Sequence, residues 1–122
     1  MYDVIVSIID KLNSNTELKA LVSTINPFNV TGKNKMYYNY INLTSDGVKA
    51  QARLSLVAVC DRYTNSIKAI EEVKKTLLTI GDNKFNDDIL SIALNGGGSM
   101  RDLETDTFHE TAYFTIQYKE RI

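Results

Sequence analysis

The sequence predicts an α+β fold: an antiparallel β-sheet of about four strands packed against two or three α-helices. Three observations carry this. In the stretch 64–80, Ile67, Ile70, Val73, Leu77 and Ile80 recur at three- and four-residue steps, the spacing of one apolar helix face. In 48–60 the spacing changes to two: Val48, Ala50, Ala52, Leu54, Leu56, Ala58 and Cys60 alternate with Lys49, Gln51, Arg53 and Ser55. The stretch 108–119 alternates likewise, with Phe108, Ala112, Phe114, Ile116 and Tyr118 on one side and Glu110 as the polar exception. A sheet with one apolar face needs a cover, and amphipathic helices supply one.

The remaining elements follow in chain order. Residues 3–12 place Val4, Ile5, Ile8, Ile9 and Leu12 on one helical stripe. Ser14 and Glu17 have capping-box spacing ahead of a second short helix that uses Leu18, Leu21 and Val22, and Pro27 ends the helical region. Residues 28–35 read as a polar loop bent at Gly32. A Tyr- and Ile-rich strand is expected over 36–43, and Asp46-Gly47 is a hairpin turn because both residues tolerate positive φ. From Val57 onward both faces of the 48–60 strand are apolar, so it passes from half exposed to covered. In the long helix Glu71 and Lys75 are placed to pair, Gly81 marks the stop, and Asp82-Asn83 continues the turn. Residues 88–94 suggest a further strand, broken by Asn95-Gly96-Gly97-Gly98-Ser99.

A chain of 122 residues fits one domain spanning 1–122 and is long enough to bury a real core. Its apolar fraction of 43% and charged fraction of 24% are those of a globular protein rather than a disordered one. The net charge of -1 argues against a role driven by neutralising phosphates, so no specific nucleic acid is expected as partner. A lone Cys60 forms no internal disulfide, which fits a reducing compartment. No apolar run is long enough for a membrane span, and Met1-Tyr2-Asp3-Val4 lacks a basic leader.

Four constellations in the sequence bear on chemistry. Asp102, Glu104 and Asp106 would share one face of an extended strand, as metal ligands do, but a solvated hairpin arm explains them as well. Cys60 and His109 would need to touch to form a nucleophile–base pair, and Cys60 sits on the apolar side of its strand. Gly96-Gly97-Gly98 could cradle a phosphate only if it led into a helix, whereas Ser99-Met100-Arg101 lead toward a strand; a flexible hairpin or a bulge is the simpler use. No catalytic, metal or cofactor-binding residue is therefore expected, and no enzymatic activity.

The fourth constellation is of a different kind. Lys33, Lys35 and Lys49 stand among Tyr37, Tyr38 and Tyr40, a mixture that can stack on single-stranded nucleic acid but equally suits a protein interface. Together with the Asp46-Gly47 turn they mark the 36–50 hairpin as a candidate arm toward neighbouring subunits. The second candidate arm is 95–106, with Gly96, Gly97, Gly98 and Arg101, where glycines would allow ordering on a partner.

The organisation resembles the tail terminator, or tail completion, proteins of long-tailed bacteriophages. The resemblance rests on the helix ending in TELKALV (16–22), the strand ARLSLVAVCDR (52–62) running into the helix SIKAIEEVKKTLL (66–78), and the last strand FTIQYKERI (114–122). It implies a structural virion protein at the head–tail junction that forms a six-membered ring. The ring sits on the last ring of tail tube protein, stops its polymerisation and meets the head-completion or connector protein. Another phage neck protein, or an adaptor outside the virion, would share this layout.

Overall fold

The chain is described from a computed structural model covering residues 2–28, 32–78 and 89–119. Its elements are α1 (Tyr2–Asn13), α2 (Thr16–Leu21), β1 (Ile25–Pro27), β2 (Lys35–Ser45), β3 (Lys49–Cys60), α3 (Tyr63–Leu77), β4 (Ile89–Asp102) and β5 (Thr107–Lys119). The fold is α+β, with one five-stranded sheet in the order β1-β2-β3-β5-β4. Four strands are antiparallel as expected; β1 is an addition, and it pairs parallel to β2 through Ile25–Met36, Asn26–Tyr37 and Pro27–Tyr38.

The core lies between the helices and one face of the sheet. Ala50, Ala52, Leu54, Leu56, Ala58 and Cys60 of β3 point into it, beside Ala112, Phe114, Ile116 and Tyr118 of β5. Val4, Ile5, Ile8, Ile9 and Leu12 of α1, Leu18 of α2, and Ala69, Ile70, Val73 and Leu77 of α3 close it from the other side. These are the stripes that the periodicity identifies. Apolar burial of this kind contributes about 1.5–3 kcal/mol for each large side chain withdrawn from water.

Several local expectations are corrected. The cap of α2 is Asn15, whose side-chain oxygen accepts from the Leu18 N–H at 3.0 Å; the Ser14 hydroxyl instead donates back to the Asp10 carbonyl at 2.9 Å. Asn15 also donates to Thr76 Oγ1 at 2.9 Å and Glu72 Oε2 at 3.3 Å, tying the start of α2 to α3. On α3 the ion pairs are Glu71–Lys74 and Glu72–Lys75, one step shorter than the expected Glu71–Lys75. Pro27 does more than end a helix: it closes a short edge strand, where its missing N–H costs no ladder bond. The expected stop at Gly81 and turn at Asp82-Asn83 lie outside the described residues.

The glycines do not break β4. The strand continues through them to Asp102, with its pairing to β5 shifted between Leu94 and Gly97. Gly96 takes φ +121, which an L side chain rarely adopts, and thereby makes the bulge. At Gly97 a Cβ would overlap the Thr111 carbonyl, so close strand approach also demands glycine.

The sheet is covered by the helices on one face, and this sets a clear contrast between neighbouring positions. Phe114→Ala should lose about 3–5 kcal/mol in chemical denaturation. Tyr113→Ala, one residue earlier on the opposite face, should lose less than about 1 kcal/mol. Equal losses would mean that both faces are packed.

Candidate assembly surfaces

The two hairpins reach opposite ends of the sheet. Lys49 pairs with Lys119 and Cys60 with Phe108, so the β2–β3 turn sits where β5 ends. The β4–β5 turn, at 103–106, projects past the far end of β3. Each turn is built differently.

At the β2–β3 turn the Asp46 carboxylate accepts from the Lys49 N–H at 2.6 Å and the Val48 N–H at 2.9 Å. Gly47 takes φ +86, and the Ser45 hydroxyl accepts from its N–H at 3.1 Å. The two bonds from Lys49 and Val48 stabilise the charged carboxylate and hold its pKa below the ordinary value of 3.8. Lys49 is exposed at the start of β3. The expected arm is thus a hydrogen-bonded hairpin whose 39–49 portion is exposed.

The tyrosines divide between the two faces. Tyr38 turns toward the core and packs against it, and Tyr40 follows on the same side, more exposed. Tyr37 is half buried on the opposite face, opposite Val57, and burial, with Tyr113 second, raises its pKa. Lys33 is exposed and Lys35 half buried, opposite Val59. Val57 and Val59 are buried outside the helix-covered core, in register with Tyr37 and Thr111 and with Lys35 and His109. The same face, opposite the helices, exposes Ile41 at 53% and Tyr113 at 39%.

At the other end Arg101 pairs with Asp106 at 2.8 Å and lies over the Phe108 ring, 5.5 Å from its centroid. Phe108 in turn meets Tyr63, with ring centroids 5.6 Å apart. Ser99 bonds Glu110 and lies 3.4 Å from the Tyr63 hydroxyl. Tyr63, Ser99, Met100, Arg101 and Phe108 line a shallow hollow. Periodicity places Phe108 in the apolar stripe of β5 but does not bring Tyr63 to it; their pairing depends on where α3 starts relative to β5. The hydrogen bond and charge of Arg101 lower the Asp106 pKa, with Lys33 a smaller cause. Leu103, at the turn, is 78% exposed.

The acid cluster does not converge. Asp102 Oδ1 accepts from the Glu104 N–H at 3.0 Å, Asp106 is taken by Arg101, and Glu104 lies in the turn. No group of three metal-ligating side chains occurs among the described residues. Cys60 pairs across the sheet with Phe108, whereas His109 lies beside Val59 and bonds Thr107 Oγ1 at 3.1 Å. Burial, with the charge of Asp61 second, pushes the Cys60 thiol up to about 11. A thiol buried and held protonated is a poor nucleophile. The glycines lie within a strand and do not open a helix, so the geometry of a phosphate loop is absent there. Among the described residues no helix is long and apolar enough to cross a membrane.

No protein-family profile matches the chain, and no curated protein matches it significantly. Among solved structures, a chain of the virion of a native gene transfer agent (GTA) particle superposes with a TM-score of 0.71 at 12% identity. The alignment covers 93% of this chain and 92% of that one. At this identity the likeness shows a shared fold, extending over nearly the whole of both chains.

Two measurements follow. Gly97→Ala should lower stability by about 1–3 kcal/mol because the strand must shift. Gly98→Ala, where a Cβ meets nothing within 4 Å, should change stability by less than about 1 kcal/mol. Reversal of that order would refute the close approach at Thr111. In an NMR titration Asp46 should titrate below 3.8. With its pKa lowered on folding, its contribution is present above the unfolded value and lost as pH falls through the lowered one. An ordinary midpoint would mean that the turn bonds do not persist in solution.

Proposed function

We propose that this protein is a structural component of a phage-like virion, a terminator that caps the tail tube and forms part of the head–tail joint. The observation that carries the proposal is the full-length likeness to a chain of a gene transfer agent virion. The sequence resemblance to tail terminators narrows it. The placement of the two hairpins supports it, since a cap needs separate surfaces for the tube below and the head above.

The mechanism is binding without chemistry. Copies of one domain form a six-membered ring, each using a patch complementary to a different patch on its neighbour. One pole of the ring binds the last ring of tail tube protein and removes the surface on which the next tube ring would add. The opposite pole meets the connector. Candidate contacts at the β2–β3 end are Asp46, Gly47 and Lys49, and at the β4–β5 end Arg101 and the exposed Leu103. Tyr37, Tyr40, Lys33 and Lys35 are candidates along the sheet between them.

Electron microscopy of particles made without this protein tests the reading. Tails of variable, excessive length that fail to join heads are expected, and complementation should restore a single length. Tails of normal length and normal attachment would overturn it. Tails of normal length that remain unattached would identify a neck protein instead.

A further inference from the structure

Among the described residues no strand is paired to β2 beyond β1 or to the outer side of β4, and these two borders are complementary. On one side β1 covers β2 only from Met36 to Tyr38. There the Met36 N–H donates outward to the Thr24 carbonyl at 2.9 Å, and the Tyr38 carbonyl accepts from the Phe28 N–H at 2.8 Å. Backbone groups alternate sides along a strand, so Tyr40 and Asn42 present their N–H and C=O groups to the same border, beyond the end of β1. On the other side β4 is the terminal strand among the described residues.

Beyond β1 each border carries one protective feature, a bulge, between Asn42 and Thr44 in β2 and between Leu94 and Gly97 in β4. Edge strands deter pairing with bulges, charged side chains, proline or extreme shortness. β1 has two of these, being short and ending in Pro27. The stretch 39–45 of β2 and the stretch 91–100 of β4 hold no charged residue and no proline, and both are exposed for most of their length.

Strand direction makes the borders fit. β2 is antiparallel to β3, β3 to β5, and β5 to β4, so β4 runs opposite to β2. When copies follow one another around an axis, β4 of one therefore meets β2 of the next in the antiparallel sense. A twofold pairing of β4 with β4 would also be antiparallel, but it would leave Tyr40 and Asn42 unpaired and close at two copies.

We propose that neighbouring copies of this chain join by strand addition, the 91–100 border of one pairing with the 39–45 border of the next, so that their sheets become continuous. Main-chain hydrogen bonds supply the joint. It rests on the ring reading given above and names the contact from which the ring is built.

Engineered cysteines test it, because the thiol of Cys60 is buried. Asn42→Cys combined with Leu94→Cys or Ser99→Cys places both thiols on the helix-covered side of the sheet. Under oxidation, at least one of these double variants should give a ladder of covalent oligomers ending in a closed ring. Single variants should remain monomeric alone and give only mixed dimers when combined. Asn42→Cys with Ala93→Cys, which face opposite sides, should crosslink at least tenfold less. Asn42→Pro should keep its melting temperature within a few degrees and lose the rings.

Dimers formed by Leu94→Cys or Ser99→Cys alone would establish twofold β4 pairing and overturn the proposal. Intact rings with no ladder from either double variant would overturn it as well. The ring reading fails separately. A chain that ladders in solution but is absent from purified particles refutes the virion role and leaves the joint standing. A chain present in particles that crosslinks only β4 to β4 refutes the joint alone.

Discussion

Leu54 lies opposite Phe114, Ala52 opposite Ile116 and Ala50 opposite Tyr118, and on this pairing of β3 with β5 the rest of the structure depends. Because side chains alternate, a slip of one residue would turn Phe114 and Ile116 out of the core and Tyr113 and Thr115 into it. The register is held by that penalty. With β3 and β5 fixed, β2 and β4 can add only at the outer flanks, and the α3 helix crosses the face that carries the large apolar residues. The hairpin turns are then placed at opposite ends, since β2 joins β3 at one end and β4 joins β5 at the other.

Covering one face only has consequences for what the molecule can do. The opposite face is mixed: polar from Gln51 to Ser55, apolar at Val57 and Val59, with Tyr37 and Tyr113 close to each other. On that face no group of three metal-ligating side chains occurs among the described residues; the charged residues that gather, Glu17, Lys68, Glu71, Glu72 and Lys75, line a hollow between α2 and α3 instead. Glycines 96–98 belong to the same logic. They let β4 stay paired to β5 across a bulge, where a larger side chain at Gly97 would have pushed the strands apart.

Most of the fold was legible in the residues, for identifiable reasons. Periodicity located α3, β3 and β5 because their apolar faces are regular, and Asp46-Gly47 located the turn because its chemistry is local. β1 was not legible: its residues are few, and it exists through tertiary pairing with Met36 to Tyr38. The path of β4 through three glycines was hidden because the glycine signal is the same for a loop and for a bulge, and only the Thr111 carbonyl distinguishes them. Asn15 was overlooked as a cap because Ser14 and Glu17 match the capping-box pattern one residue away. Of the candidate contact residues, sequence grouped the tyrosines as one patch. The pleat separates them, sending Tyr38 and Tyr40 to one face and Tyr37 to the other.

Amide hydrogen exchange, compared between the free chain and the assembled one, tests the central claim most directly. By that claim the borders of β2 and β4 are completed by neighbouring copies. In the free chain the amides of β3 should exchange slowly and those of Tyr40 and Asn42 quickly; on assembly the latter two should slow by at least tenfold. Amides of Tyr40 and Asn42 that are already protected in the free chain, or that exchange equally fast after assembly, would contradict it.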